Sequence, residues 1–405
     1  MNPSKSNMAV LGQIVKLIPP NLIDKLASQH HVSEHARTFS PTSHVVAMLH
    51  AQLSHSLSLN DTCDALRNHH GTLSQMRGAT PPSRNGLSHA NATRPADMAA
   101  ALFWAVLSSM RDAFPAFVTS GRNYPRIPRR FKRTIHAVDS TTMQLVANCM
   151  DWAKHRRRKA AAKMHLRLEM ASFLPAFALV REAKANDAKC AWPVCAGIRA
   201  GEIVVFDKAY VDYKHLNVLT TRGVFWVTRA KSNMQAEVVG QHAAPSSTII
   251  RDERIRLSNE GYAHDMRRVE AWVEVNTQLV RMTFITNNFA WAASSICDLY
   301  RCRWGIEVFF KELKQTLQLA DFMGYSENAV RWQVWTALLV YLLLRFVAWQ
   351  SHWKYSFNRL FTMIRAVLWN FFDLFSVLAC CGTAGGCSKE LAALRACAQQ
   401  VLSGV

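Results

Sequence analysis

The sequence predicts an α/β protein with helical regions at both ends, and three observations support this fold class. Short β-rich runs alternate with helical patterns from residue 134 to about 228, which is typical of an α/β sheet. From about residue 235 to 286, strand patterns follow one another without helices, which predicts an all-β insertion. Residues 1–120 and 351–405 carry helical patterns, so a helical N-terminal domain and a helical C-terminal region are predicted.

The N-terminal region contains apolar residues at helical spacing around residues 14–26, 45–53 and 59–66. Ser58 or Asn60 is predicted to cap the third of these helices. A further helix beginning within residues 83–91 would complete a helix-turn-helix, whose second helix enters the major groove of DNA. A plain helical bundle fits the same pattern, and the two alternatives stay open.

Positive charge dominates the chain, with 48 Lys and Arg against 28 Asp and Glu and a net charge of +20. Such an excess favours a polyanionic partner, because binding phosphates releases counterions. A ribosome-associated or otherwise basic protein would show the same excess. A basic linker is predicted at residues 121–133, with Arg122, Arg126, Arg129, Arg130, Lys132 and Arg133. A second basic run is predicted to follow a duplex backbone; it includes Arg156, Arg157, Arg158 and Lys163.

Two aspartates are predicted to end buried strands of the α/β region. Asp139 ends the run in HAVDSTT, and Asp207 ends the run in IVVFDKAY. Ligand sites of open α/β sheets lie at such strand ends. A capping or turn role is the common alternative for a single aspartate at this place, whereas Asp212 is predicted to be a helix cap.

A third carboxylate lies on a predicted amphipathic helix over residues 299–317. On a helix that turns about 100° per residue, five polar residues fall on one stripe. The stripe consists of Tyr300, Arg303, Glu307, Lys311 and Lys314. The opposite face is apolar, with Leu299, Ile306, Phe309, Phe310, Leu313 and Leu317. An ordinary solvated helix with i,i+4 ion pairs would also fit this segment alone.

Three carboxylates that converge would repel one another, and burial would raise their pKa values. Divalent cations remove that cost, and Mg²⁺ prefers a few carboxylates together with waters and phosphate oxygens. Asp139, Asp207 and Glu307 are therefore the candidate catalytic and metal-binding residues, with two Mg²⁺ ions expected and Mn²⁺ as a possible substitute.

The spacing Tyr-x2-Arg-x3-Glu-x6-Lys from Tyr300 to Lys314 resembles the signature of the DDE transposases of bacterial insertion sequences. The resemblance extends from about residue 10 to 350 and implies a ribonuclease-H-like catalytic domain at residues 134–350, with the β insertion inside it. Two features depart from the pattern of the group. Lys208 and Ala209 stand where Arg-Gly is usual, and no Trp lies on residues 279–286, where some relatives place a base-flipping aromatic.

The resemblance implies two-metal phosphoryl transfer on double-stranded DNA at the ends of an element and at its target. In that reading Arg303, Lys311 and Lys314 contact phosphates, and Tyr300 hydrogen-bonds one. A homodimer on DNA and a cytoplasmic, nucleoid-associated location in a bacterium are also implied. Two alternatives are a metal-dependent nuclease that does not join strands and an inactive DNA-binding remnant of a transposase.

Residues 334–349 form an apolar stretch that is short for a membrane span and contains Arg345. A buried helix is the prediction there, and no membrane partner is expected. The ten cysteines contain no CxxC pair, so reduced thiols are expected rather than disulfides or a zinc site.

Overall fold

The computed structural model describes residues 2–32, 39–119, 130–145, 149–156, 159–184, 186–243, 246–258, 261–275, 277–319 and 322–380. The chain forms two compact units, which are described separately. One unit is mainly helical and combines Met1–Phe114 with the residues from Glu312 onward; the other is Pro115–Lys311 and contains the sheet. The observed class is a mixed α/β fold with a large sheet, as predicted.

The helical unit begins with seven helices before the sheet unit. They are α1 (Val10–Lys16), α2 (Leu22–Gln29), α3 (Pro41–Ser54), α4 (Leu59–Asn68), α5 (His70–Ser74), α6 (Arg84–Thr93) and α7 (Ala96–Ala113). After the sheet unit the chain continues with a π-helical turn (Glu312–Thr316), α14 (Glu327–Gln350), α15 (Phe357–Ala366) and α16 (Leu374–Cys380).

The core of the helical unit surrounds α14, which packs against α3, α6 and α7. Asn328 at the start of α14 donates hydrogen bonds to the carbonyl oxygens of Asn91 and Arg94, at 2.9 and 2.7 Å. Among the described helices, α14 alone is long and apolar enough to cross a membrane, and 89% of its most apolar window is buried inside the protein. The prediction of a buried helix at residues 334–349 is confirmed.

This arrangement divides the chain at other places than the predicted domain boundaries. The sequence predicts residues 312–350 to be part of the catalytic domain and residues 1–120 to form a separate N-terminal domain, yet contacts place residues 1–114 and 312–350 together in the helical unit. The physical reason is that α14 supplies apolar surface to α3 and α7, which lie more than 200 residues earlier in the chain. Residues 121–129 of the predicted linker and residues 381–405 of the C-terminal region lie outside the described residues.

The sheet unit contains ten strands and six helices among its described residues. In chain order these are α8 (Pro115–Thr119), β1 (Ile135–Leu145), α9 (Met150–Ala153), β2 (Lys154–Arg156), β3 (Lys159–Glu169), β4 (Leu174–Glu182), α10 (Asp187–Cys195), β5 (Ile203–Phe206), α11 (Tyr213–Thr221), β6 (Phe225–Arg229), β7 (Ala236–Gln241), β8 (Ile249–Leu257), β9 (Met266–Val275), β10 (Gln278–Thr286), α12 (Ala293–Cys302) and α13 (Trp304–Lys311). A short 3₁₀ turn, Lys208–Tyr210, follows β5.

All ten strands belong to one sheet with the order β2-β3-β1-β5-β6-β10-β9-β8-β7, and β4 also pairs with β3. β1 pairs antiparallel with β3 and parallel with β5, and β5 pairs parallel with β6. The predicted β insertion is observed as four antiparallel strands, β7–β10. It is continuous with the rest of the sheet, because Phe284–Thr286 of β10 pair with Val227–Arg229 of β6.

Candidate active site

The two aspartates occupy equivalent positions on neighbouring parallel strands. The parallel ladder between β1 and β5 ends with the pair Val138 and Phe206, so Asp139 and Asp207 are the next residues on each strand. Contrary to the prediction, β1 does not end at Asp139 but continues to Leu145, because β3 goes on pairing with it after β5 has ended. Asp139 therefore lies where only the parallel partner stops.

Glu307 reaches this edge from α13, whose apolar side packs against the turn between β3 and β4. Gly305 allows the close approach, since a Cβ there would lie 2.5 Å from the Cε of Met170. One turn later, the ring of Phe309 lies 6.3 Å from that of Phe173 in an edge-on arrangement. The apolar face predicted for this segment is thus buried, and Glu307 points away from it with 57% of its side chain exposed.

The predicted continuous helix over residues 299–317 is divided twice. At Arg303 the backbone hydrogen bonds become 3₁₀-type, each joining an N–H to the carbonyl three residues earlier. They run from Arg303 N to Tyr300 O at 3.1 Å and from Ile306 N to Arg303 O at 3.0 Å. From Glu312 the chain is π-helical, with Leu317 N bonded to Glu312 O at 3.1 Å. Wider turns change the angle per residue, so the stripe calculated for a regular helix does not extend to Lys314.

Arg303 and Tyr300 bind the carboxylates directly. The guanidinium of Arg303 donates from Nη1 to Asp139 Oδ2 at 2.6 Å and from Nη2 to Glu307 Oε1 at 2.8 Å. The hydroxyl of Tyr300 donates to Asp207 Oδ1 at 3.2 Å. The structure therefore brings five predicted site residues together: Tyr300, Arg303, Asp139, Asp207 and Glu307.

Burial sets the electrostatics of this group. Burial raises the pKa of Asp139 to about 6, opposed by the positive charge of Arg303, while Asp207 and Glu307 add to the rise. Burial also raises the pKa of Tyr300 to about 12, so its hydroxyl is a hydrogen-bond donor at neutral pH. The group thus holds one buried cation among three acidic side chains.

The predicted phosphate-binding lysines lie at different places. Lys311 is the exposed last residue of α13, whereas Lys314 is half-buried in the π-helical turn of the helical unit. Burial lowers the pKa of Lys314. On β3, Lys163 donates to both carboxylate oxygens of Asp187, at 3.0 and 3.2 Å, and its side chain is only 17% exposed.

The other members of the basic run give less information. Arg156 ends β2, and Arg157 and Arg158 lie outside the described residues. Lys163 was predicted to contact DNA, but its ammonium is bound by Asp187. The sequence run gave no sign of this, because Asp187 follows 24 residues later.

Sequence reasoning missed a polar network beneath the two aspartates. The hydroxyl of Tyr210, three residues after Asp207, lies 2.7 Å from Nδ1 of His165. Tyr210 and His165 are both buried, and burial raises the pKa of Tyr210 and lowers that of His165 to about 4. Tyr210 also hydrogen-bonds Ser140, the residue after Asp139. A histidine on a strand and a tyrosine in the short turn after β5 gave no sequence signal beyond their residue types.

The donor chemistry of the three carboxylates fits a divalent cation. All three supply hard oxygen ligands, and Asp139 lies where burial disfavours an unbalanced negative charge. In the described structure Arg303 provides the positive charge between Asp139 and Glu307. No cluster of three or more His, Cys, Asp or Glu side chains stands ready to hold a metal ion within the described ranges.

Comparison with known proteins identifies the class. Residues 130–343 match the family described as "Transposase DDE domain", and residues 6–77 match a family described only as a domain of unknown function, DUF4372. The first match covers more than half of the chain and includes Asp139, Asp207 and Glu307. The chain therefore belongs to the DDE transposases, and divalent metal use and DNA binding follow from that membership.

Two curated relatives agree. A putative transposase, y4zB of Sinorhizobium fredii, is 30% identical over 272 residues, which is 66% of this chain and 72% of the relative. A probable transposase for insertion sequence element IS5377 of Geobacillus stearothermophilus is 30% identical over 223 residues, which is 54% of this chain and 58% of the relative. These relatives support an insertion-sequence transposase, as the sequence predicted.

One solved structure was also similar. It is described as a cryo-EM structure of the piggyBac transposase synaptic complex with hairpin DNA. The alignment covers 99% of this chain and 87% of that chain, with a TM-score of 0.44 and 9% sequence identity. That likeness is too weak to define the fold.

Proposed function

We propose that this transposase cleaves DNA strands at the ends of its element and transfers them to target DNA, using Asp139, Asp207 and Glu307 with two Mg²⁺ ions. One observation carries the proposal: the two aspartates follow the paired ends of β1 and β5, and one segment brings Glu307, Arg303 and Tyr300 to them. Mn²⁺ would suit the same oxygen ligands.

The sheet order around the site supports a ribonuclease-H-like core. β4 and β3 form an antiparallel hairpin beside β1, and β5 and β6 run parallel to β1 on its other side. In this reading, β7–β10 are an insertion that precedes the helix of Glu307.

Divalent cations bound to these carboxylates supply the charge that activates an attacking hydroxyl group and stabilises the leaving oxygen. The protein contributes the geometry. β1 and β5 fix the spacing of Asp139 and Asp207, and Tyr300 holds one oxygen of Asp207. Glu307 is more than half exposed, so it faces the solvent side from which a DNA phosphate would approach. Lys311, exposed at the end of α13, then contacts a DNA phosphate near the scissile bond, and Lys314 contacts a DNA phosphate elsewhere on the bound duplex.

The helical N-terminal region would recognise the terminal inverted repeats. α6 begins at the cap Ser83, whose side chain accepts from Gly86 N, and it buries Leu87, Ala90 and Asn91. Its exposed side is polar, with Arg84, Asn85, Ser88, His89 and Thr93. A short helix, α5, and residues 75–83 separate α4 from α6, so the connection is longer than the tight turn of a helix-turn-helix. A homodimer on DNA and a cytoplasmic, nucleoid-associated location are part of the same proposal.

The test is an oligonucleotide assay that follows both cleavage and joining with Mg²⁺. Asp139→Asn, Asp207→Asn and Glu307→Gln should each lower cleavage by about a thousandfold or more, because each removes several kcal/mol of metal-dependent stabilisation. The matched control is Asp212→Asn: Asp212 caps α11 by accepting from Lys214 N and His215 N, and Asn caps equally well.

Each outcome has a defined meaning. Cleavage at the wild-type rate by any of the three variants removes that residue from the site. Cleavage without joining by the wild-type protein favours the alternative of a metal-dependent nuclease. Absence of both activities in a folded wild-type protein that still binds the element ends favours an inactive remnant.

A further inference from the structure

We propose that the guanidinium of Arg303 is a built-in cation of the carboxylate site. It holds Asp139 and Glu307 in the metal-free protein and competes with divalent cations for their oxygen atoms. The inference rests on the proposed function, because it takes these carboxylates to be the metal ligands. It assigns to Arg303 a positioning and regulatory role at the carboxylates in the metal-free protein, in addition to the phosphate contact expected from sequence.

The geometry places one guanidinium on two acidic groups from different elements. Nη1 binds Asp139 on β1 at 2.6 Å, and Nη2 binds Glu307 on α13 at 2.8 Å. A planar guanidinium presents its donors in a fixed fork, so one side chain spans both carboxylates. Both bonds are charge-assisted, which makes them the stronger class of hydrogen bond.

Burial makes the Asp139 bond the more important of the two. The side chains of Arg303 and Asp139 are 10% and 19% exposed. At such a site water screens charge poorly, so Asp139 depends on a nearby cation. The guanidinium also lies over the ring of Tyr300, 5.5 Å from its centroid, which fixes it from a second side.

The Arg303 guanidinium and a divalent cation compete because both are positively charged and both bind the carboxylate oxygens of Asp139. Asp139 Oδ2 accepts from Arg303, and a metal ion bound to that carboxylate would repel the guanidinium. Two ligands that disfavour each other do so reciprocally, so removal of the guanidinium must favour the metal. Asp207 differs, because its contact is the neutral hydroxyl of Tyr300.

The experiment uses the full-length protein without DNA and Mn²⁺ as the probe. Mn²⁺ affinity is measured by titration calorimetry and by the electron paramagnetic resonance of free Mn²⁺, and melting is measured with and without Mn²⁺. Arg303→Gln should bind Mn²⁺ at least about tenfold more tightly than the wild type, since one or more charge-assisted bonds no longer compete. Without metal, Arg303→Gln should melt at a lower temperature than the wild type. Addition of Mn²⁺ should raise its melting temperature by more than it raises that of the wild type.

The matched control is Arg301→Gln. Arg301 lies on the same helical segment, pairs with Asp298 at 3.4 Å and is 40% exposed. The Arg301→Gln substitution therefore removes one positive charge, as Arg303→Gln does, but leaves the contacts of Asp139 and Glu307 intact. Its Mn²⁺ affinity should match the wild type. Arg303→Lys should fall between wild type and Arg303→Gln, because an ammonium keeps the charge but loses the fork.

Unchanged or weaker Mn²⁺ binding by Arg303→Gln overturns the inference, and so does equal tightening by Arg301→Gln. If Arg303→Gln is unfolded without metal, Mn²⁺ should restore the fold; failure to do so also overturns it. These readouts need neither DNA nor cleavage. Wild-type cleavage by Glu307→Gln would instead contradict the proposed function while leaving the Mn²⁺ measurements as an independent result.

Discussion

Two arginine–carboxylate groups in the sheet unit differ in solvent exposure: in the closed group every side chain is buried, and in the open group one carboxylate is exposed. In the insertion, Arg267 donates from Nε and Nη2 to both oxygens of Asp252, each at 2.7 Å, and the two side chains are 2% and 1% exposed. At the candidate active site, Arg303 bridges Asp139 and Glu307, and Glu307 is 57% exposed. The first group is closed on all sides, while the second remains open to a ligand.

The closed group joins strands to a loop. Nη1 of Arg267 also donates to the carbonyl oxygen of Trp291 at 2.5 Å, so one buried side chain connects β9, β8 and the segment before α12. A buried pair of this kind is strongly damaged when one partner is lost, because the other charge stays buried. An open group tolerates the loss of an exposed partner much better. The comparison distinguishes charged side chains that stabilise the fold, such as Arg267 and Asp252, from those that remain accessible to a ligand, such as Glu307.

The largest expected effect concerns the closed group. Asp252→Ala should lower the free energy of unfolding by about 3–5 kcal/mol, because the charge of Arg267 is left buried and unpaired. Glu307→Gln, which removes an exposed charge at the open group, should change it by about 1 kcal/mol or less. Urea unfolding followed by circular dichroism measures both. A similar loss in the two variants would show that the open group is as structural as the closed one.

An intermediate effect is expected from pH, since burial raises the pKa of Asp139 from 3.8 to about 6. The folded protein then holds a proton that the unfolded chain has already released between about pH 4 and 6. Ionisation of Asp139 therefore lowers the free energy of unfolding by at most about 3 kcal/mol. This loss is absent below about pH 4 and complete above about pH 6.

Asp139→Asn cannot titrate, so the comparison isolates this residue. In chelator, the wild type should lose stability relative to Asp139→Asn as pH rises from about 4 to about 6, and the difference should then stay constant. Urea unfolding at a series of pH values measures it. A difference between the two proteins that does not vary with pH would contradict the buried position of Asp139.

The smallest effect is expected from a comparison of the exposed Lys311 with Lys163, whose ammonium is bound by Asp187. Lys311→Ala should weaken DNA binding modestly and reduce the slope of log affinity against log salt concentration by about one, because an exposed phosphate contact is lost. Lys163→Ala should leave that slope unchanged, because Asp187 already binds its ammonium. Fluorescence anisotropy at several salt concentrations measures both slopes. Equal slopes for Lys163→Ala and Lys311→Ala would contradict the distinction.

Local features of this fold followed well from sequence. Ser58 caps α4 and Asp212 caps α11, as expected for residues whose side chains accept from nearby backbone N–H groups. The strands before Asp207 and in the insertion appear where alternation or apolar runs predict them, and α14 is buried. These features depend on residues within one or two turns of each other, so a single segment contains the information.

Sequence by itself determined the element types, the apolar face behind Glu307 and the family to which the chain belongs. The tertiary structure decided which charges meet: Arg303 with Asp139, 164 positions apart, and Lys163 with Asp187. It also decided that α14 completes the core of the N-terminal helices. The physical reason is that periodicity and capping act locally along the chain, whereas ion pairs and core membership depend on distances that only folding creates.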